Sequence, residues 1–332
     1  MSILLFSDLH LDQWRQFSSV NENGFSTRLL EQIRVIHKVC EIAVTENVSD
    51  IIFLGDLFNS QGESLPKVVY NAAFHCLQEL SKVKPLYIIV GNHDMYRKMH
   101  ILSSYQEIRN VTIVDRPMFI NRGGYQIDLV PWEQQMKVKS RGDILLGHCE
   151  VVGTNMGNAI SKVGYNPEEF EGYSRIYLGH FHTRQHFNVP KCQEAMYIGS
   201  VMQNNYSDTD ENKGITILNT ADTHSKLLPI LSPRFLKSEV SSKTGIDSFT
   251  GMVNSTSDYY RLVVRNSKLE IPKFDHRVQV EWDVKESANA RMEIKSEESI
   301  KDIVYRFVET HKTALDKDRI KETLNNIMTG EW

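Results

Sequence analysis

The sequence predicts an α/β fold: two β-sheets packed as a sandwich with helices outside, then a small α+β unit and C-terminal helices. Three observations carry this. Apolar runs alternate with helix-spaced segments through the first third of the chain, the rhythm of a parallel-cored sheet. After Val111 the segments are shorter and strand-rich, with few helices between the later ones, which predicts a second, more antiparallel sheet. Beyond Ser232-Pro233-Arg234 the composition shifts, and a further strand pair and amphipathic helices close the chain.

Taken in order, Ile3 to Phe6 is the first strand, followed by a polar stretch, Asp12 to Ser26, that reads as an active-site loop. Arg28 to Val48 is a helix, because Leu29, Ile33, Ile36, Val39, Cys40 and Ala43 fall on one face. Ile51 to Leu54 is the second strand. Pro66 to Ser81 is the second helix, with proline in its first turn. Leu86 to Val90 is the third strand. Later strands are expected at 111–114, 127–130, 144–146, 176–178, 196–198, 215–218 and 226–230. Beyond the break near Ser232-Pro233-Arg234, Ser241 to Ser257 is rich in Ser, Thr and Gly. Strands Tyr259–Val264 and Val278–Trp282 flank a turn-rich basic loop with Arg265, Lys268, Lys273 and Arg277. Ser296 is placed to cap a helix with the stripe Ile300, Ile303, Val304, Phe307 and Val308, and a shorter helix carries Ile320, Leu324, Ile327 and Met328.

Composition is that of an ordinary globular chain: 332 residues, 41% hydrophobic, 24% charged, formal net charge −4. Bulk charge therefore argues for no nucleic-acid role, although bound cations would change the local balance. No apolar run reaches the length of a membrane span, and no secretory signal follows Met1. Cys40, Cys76, Cys149 and Cys192 form no C-x-x-C pair and are expected to be reduced thiols in a cytoplasmic protein. Cys149 should face away from its neighbour His148, since adjacent strand residues point to opposite faces.

Five motifs follow apolar runs in a fixed order: Asp8-Leu9-His10, Gly55-Asp56, Gly91-Asn92-His93-Asp94, Gly147-His148 and Gly179-His180-Phe181-His182. In parallel-cored sheets the carboxyl ends of strands gather ligands. Asp8 and His10, two apart, can point the same way, and so can His180 and His182. The mixture of carboxylate, imidazole and amide oxygen suits Mn, Fe or Zn better than Ca or Mg alone. The Asp56 carboxylate has two oxygens and can bridge two ions. His93 is placed to face a substrate, and Asp94 to orient His93 or cap the segment after it. Each motif alone is weak, and His37, His75, His100, His186, His224, His276 and His311 read as ordinary histidines. Together, buried carboxylates and imidazoles need a partner, and a metal pair neutralises them jointly.

As a set, these motifs resemble the calcineurin-like metallophosphoesterases over about Met1 to Ile230. Gly55-Asp56-Leu57-Phe58, Pro131-Trp132 and Gly147-His148-Cys149-Glu150 narrow the likeness to SbcD-type nuclease subunits of recombination and repair complexes, above all those of phages. The resemblance implies a metallophosphoesterase fold holding two divalent ions, with manganese preferred and magnesium possible. One ion would be held by Asp8, His10, Asp56 and His182, and the other by Asp56, Asn92, His148 and His180. His93 would assist the leaving oxygen. The chain departs from cellular relatives at Asn59, where they often carry histidine or aspartate; protein phosphatases have G-N-H-E where this chain ends in Asp94.

The resemblance also implies three units: a nuclease domain over 1–232, a capping domain over 233–288 and C-terminal helices over 289–332. The cap would contact DNA through Arg265, Lys268, Lys273 and Arg277. The helices would bind the coiled coil of an SbcC-type ATPase, and the protein would be a homodimer, in the host cytoplasm if phage-encoded. The expected activity is metal-dependent DNA exo- or endonuclease action. The alternatives are a phosphoesterase for a small diester or phosphoprotein, and a non-catalytic scaffold on the same fold.

Overall fold

Strands buried on both faces read as unbroken apolar runs, and the computed structural model shows where each face goes. It describes the chain apart from residues 61–64, 133–141, 158, 209–212, 221–224, 284–301, 304, 307, 309–316 and 330–332. The first sheet is built from β1 (Ser2–Phe6), β2 (Asp50–Phe53), β3 (Leu86–Ile89), β6 (Val111–Val114), β13 (Gly214–Asn219) and β14 (Ser225–Pro229), in the order β14-β13-β1-β2-β3-β6. A small ribbon of β4 (Met95–Tyr96) and β5 (Met99–His100) sits between β3 and β6 in sequence. Ile3 and Leu5 of β1 join the core between the sheets, whereas Leu4 and Phe6 pack outward under the helices. That alternation is the pleat of a strand with two apolar neighbours.

The second sheet is built from β7 (Met118–Arg122), β8 (Tyr125–Val130), β9 (Ile144–His148), β10 (Arg175–Gly179), β11 (Gln185–His186) and β12 (Glu194–Tyr197). Its order is β11-β12-β10-β9-β8-β7, and it faces the first sheet across Ile127, Leu129, Ile144, Leu146 and Tyr177. The expected sandwich is present, but the second sheet is not the more antiparallel one. β8, β9, β10 and β12 run parallel, and only the edge strands β7 and β11 are antiparallel. The crossover from β9 to β10 runs through a loop and a short 3-10 turn, Pro167–Phe170, which leaves no long helical spacing to read. β13 and β14 cross back and extend the first sheet on its antiparallel side.

Helices α1 (Thr27–Thr45) and α2 (Lys67–Val83) cover the outer face of the first sheet. α1 is capped by the Ser26 side chain accepting from the Leu29 N–H, and Leu29, Ile36, Val39 and Ala43 of its apolar stripe are buried. Pro66 is the N-cap of α2, one place before the expected first turn. Cys149 lies in the core outside the second sheet, turned away from His148 as strand alternation requires, and all four cysteines are free.

The Ser-, Thr- and Gly-rich stretch, to which the sequence assigned no element, contains a helix. Ser242 caps α3 (Lys243–Ser255), whose Ile246, Phe249 and Val253 are buried against a three-stranded sheet. Those three positions share one helical face, a signal that the surrounding Ser, Thr and Gly obscure. The sheet comprises β15 (Phe235–Val240), β16 (Tyr259–Val264) and β17 (Val278–Trp282), all parallel and in that order. It docks on the polar stretch of residues 12–26, which is therefore a seat for this unit more than an open loop. Phe17 packs with Phe235, Tyr259 and Tyr206, and the Arg28 guanidinium lies over the rings of Trp14 and Phe235. Burying each such aromatic contributes roughly 1.5–3 kcal/mol.

The expected cap Ser296 and the residues Ile300, Val304 and Phe307 lie outside the described residues, as does most of 289–316. Helix α4 (Lys317–Thr329) is present, with the Tyr305 hydroxyl donating to the Lys321 carbonyl. No helix among the described residues is long and apolar enough to cross a membrane.

Candidate metal centre

Parallel registers bring the motifs together. Phe6 pairs with Phe53, and Phe53 with Ile88, so the chain leaves β1, β2 and β3 at one edge. In the second sheet Gly179 pairs with His148, so the two late motifs leave at the same level. The site lies beyond the carboxyl ends of both sheets, where α/β folds place their ligands.

The turns that present the side chains are tight. Asp8, His10, Asp56 and His180 adopt positive φ angles of 53°, 49°, 61° and 105°. Left-handed backbone at four non-glycine residues is costly and persists only where surrounding contacts enforce it. Backbone bonds cross-link the first two turns: Asp8 N–H donates to Gly55 O at 3.1 Å, and His10 N–H to Asp56 O at 3.1 Å. Gln32, reaching from α1, donates to the carbonyls of Leu9 and His10, both at 2.8 Å. Glycine is required at two places. A Cβ on Gly55 would sit 2.4 Å from His148 Nδ1, and one on Gly91 2.2 Å from the Asp56 carboxylate.

Asp94 does not orient His93. Its buried carboxylate accepts from the backbone N–H groups of Asp56, Leu57, Phe58 and Gly91 at 2.9–3.3 Å, tying the second motif to the third. Burial and the neighbouring Asp56 charge push its pKa up to about 7, against the pull of those N–H groups. His93 is held otherwise: its Nδ1 donates to the Asn59 carbonyl at 2.7 Å, and its own N–H donates to Asp56 Oδ1 at 2.9 Å. Asn59 thus contributes its backbone to His93, while its side chain donates to Asp12 at 2.8 Å.

The expected side chains converge in overlapping groups, Asp8 with His10 and His182, His10 with Asp56 and His93, and Asp56 with His148 and His180. Asn92 joins the last group, its Oδ1 lying 3.0 Å from His148 Nε2 and 2.9 Å from His180 Nδ1. His10 Nε2 and His182 Nε2 are 3.0 Å apart.

The donor chemistry calls for cations here. His148 Nδ1 donates to the Leu54 carbonyl at 2.6 Å, so in the neutral ring Nε2 is a lone pair. That lone pair faces Asn92 Oδ1 and, at 3.4 Å, the Asp56 carboxylate. Acceptors converging in a buried space need a positive charge among them, and a divalent ion supplies it. Burial opposes protonation of His148, yet the Asp56 carboxylate raises its pKa to about 9, which states the same demand. Burial pushes Asp56 up too, but His148 and His10 together hold it below the usual carboxylate range. Burial pushes the Asp8 carboxyl up. It also lowers His10 and His180 to about 3, leaving both rings neutral at physiological pH with lone pairs free to ligate.

Around this set lie residues that sequence reasoning did not find. His182 Nδ1 points at the buried Asp208 carboxylate, 3.1 Å away, which leaves Nε2 for the centre. A carboxylate behind a histidine ligand fixes its tautomer and raises its basicity. Asn204 donates to Asp8 O at 3.1 Å. Gln32, Asn204 and Asp208 carry no local spacing that links them to the five motifs; only the folded chain brings them in. Trp132, singled out by its motif, packs on His180 with ring centres 5.0 Å apart.

The four basic residues expected to contact DNA are placed differently. Arg265 pairs with Glu239 and Asp283, and Arg277 with Asp275, so neither is an isolated cation. Lys268 and Lys273 are exposed.

The fold, a sandwich with a carboxylate and imidazole cluster at one edge, is that of a metal-dependent phosphoester hydrolase. The chain belongs to the calcineurin-like phosphoesterase family, whose model matches residues 1–184. It is similar to exonuclease subunit 1 of Enterobacteria phage T4, 26% identical over 215 residues, covering 60% of this chain and 61% of that protein's length. A protein of Invertebrate iridescent virus 6, named as a candidate phosphoesterase, is 23% identical over 234 residues, covering 65% of this chain and 80% of that one. A like-named protein of Invertebrate iridescent virus 3 is 26% identical over 196 residues, covering 53% and 54%.

Proposed function

We propose that this chain is a binuclear-metal-dependent DNA phosphodiesterase, the nuclease subunit of an SbcCD-like recombination and repair complex. The observation that carries the reading is the set of overlapping ligand groups: Asp56 groups with His148 and His180 and also with His10, and His10 groups in turn with Asp8 and His182. Asp8, His10, Asp56 and His182 would hold one ion, and Asp56, Asn92, His148 and His180 the other. Four imidazoles among these ligands favour manganese over magnesium. When bound, two such ions neutralise charge on a phosphate ester and lower the pKa of a bound water to about 7.

The chain's own residues do the rest. His93, its Nδ1 held by the Asn59 carbonyl, offers Nε2 to hold or give a proton at the departing ester oxygen. Asp94 fixes the distance between Asp56 and Asn92 by bonding both turns. Trp132 packs against the His180 ring and helps to hold its orientation. The name of the phage relative, an exonuclease subunit, supports DNA as the substrate and a partner protein. The unit formed by residues 233–288 is the proposed DNA-contacting cap, with Lys268 and Lys273 its most available cations beside the paired Arg265 and Arg277. The helices within 289–332 are the proposed docking element for a coiled-coil ATPase, in a homodimeric assembly.

Purified protein with manganese degrades linear duplex DNA, and chelator stops it. Hydrolysis of small diesters with no cleavage of any DNA, duplex or single-stranded, would reject the nuclease reading and leave a small-diester phosphoesterase.

A further inference from the structure

Between β9 and β10 the chain makes a hairpin-like excursion that the proposed reaction does not use. Val151 bridges to Tyr165 and Asn155 to Ile160. Within it, Gly153 N–H donates to Ser161 O at 2.9 Å, Ser161 N–H to Thr154 O at 2.8 Å and Met156 N–H to Ala159 O at 2.8 Å. Its base is fixed by the Ser161 hydroxyl donating to Glu150 at 2.6 Å. Its arm is clamped to the strand after the last ligand motif. Asn155 N–H donates to Gln185 Oε1 at 2.7 Å, and Gln185 Nε2 donates to Asn155 O at 2.6 Å.

This bonding holds an apolar side chain in water. Met156 is 50% exposed, although the backbone that carries it is ordered by bonds on both sides. Asn155, Met156 and Gly157 form one wall of a cavity of about 250 Å³ whose other walls include His180, His182 and Ser207. A group that fills this cavity therefore has His182 on one wall and Met156 on another. A phosphate alone has no apolar surface to offer a thioether. A nucleoside attached to that phosphate does, and the flexible, polarisable methionine packs well on an aromatic ring. At Gly157, φ is 84° and a Cβ would meet nothing within 4 Å, so the space beside this residue is open. Asn155 and Ser207 offer polar side chains for its edge.

We infer that the Met156 wall is a nucleoside subsite, taking the unpaired base and deoxyribose that flank the scissile phosphate. The inference rests on the phosphodiesterase reading and adds to it how the substrate is registered: the base must leave its stack to reach the wall. A strand end, where unstacking costs least, satisfies that requirement most easily.

The test uses the full-length protein with manganese and three chromogenic esters: thymidine 5′- and 3′-(p-nitrophenyl phosphate), and methyl p-nitrophenyl phosphate, which has no base. The readout is the ratio of kcat/KM for the preferred thymidine ester to that for the methyl ester. In Met156→Ser this ratio falls about tenfold, and Met156→Leu restores most of it. An unchanged ratio in Met156→Ser, with wild-type enzyme preferring the thymidine ester, would overturn the subsite while leaving the phosphodiesterase reading standing. A wild-type enzyme that prefers neither ester would overturn the subsite as well, and one that hydrolyses none of the three would overturn the reading beneath it.

Discussion

Replacing His93 by alanine lowers turnover of DNA by about 10²–10⁴-fold while the protein still binds two manganese ions per chain. The expectation comes from how the ring is held. Its Nδ1 is committed to the Asn59 carbonyl at 2.7 Å, which fixes the tautomer and leaves Nε2 for a proton at the ester. The geometry also offers a competing arrangement, because His93 groups with His10 and Asp56, and the His10 and His93 rings meet edge-on at 4.8 Å. If His93 were a ligand, its loss would empty a site. Steady-state kinetics together with metal analysis of the purified variant separate the two. Falling turnover at full metal content supports proton handling, whereas falling metal content makes His93 a ligand.

Replacing Asp94 by alanine destabilises the fold by about 3–5 kcal/mol, read from urea unfolding of the metal-free protein. This carboxylate is fully buried and accepts four backbone N–H groups from two separate turns. Alanine leaves those donors unsatisfied in the interior. The Asp94→Asn variant is little better, since an amide offers one acceptor oxygen and brings N–H groups up against N–H groups. The alanine variant also loses manganese affinity, because the Gly55-Asp56 and Gly91-Asn92 turns are no longer tied together. A loss of less than about 1 kcal/mol would show that the turns hold each other without it.

The sequence was most informative where function is written locally. D-x-H and G-H-x-H each place two side chains able to ligate just past a strand end, and the residue types and spacing are legible even though left-handed turns, not strand alternation, aim them. The first sheet was readable because its strands and helices alternate with clean periods. The second sheet's direction was not, since the described connection from β9 to β10 is a loop and a short 3-10 turn with no helical period to read. Asp94 shows the limit within a motif: its position beside His93 suggested a local partner, yet its hydrogen bonds go to residues 36 to 38 positions away as well as to Gly91. Asp208 shows the limit outside one, being 26 residues from the histidine it supports. The stretch around Phe17 read as a polar loop because one buried aromatic among polar residues has no periodicity. Its partners Phe235 and Tyr259 lie more than two hundred residues further on.

The central claim is that two metal ions share Asp56. Anomalous diffraction from crystals grown with manganese tests it directly. Two peaks roughly 3.5–4 Å apart are expected. One lies among Asp8, His10, Asp56 and His182, and the other among Asp56, Asn92, His148 and His180. A single peak, or a second one with no contact to Asp56, would contradict the claim.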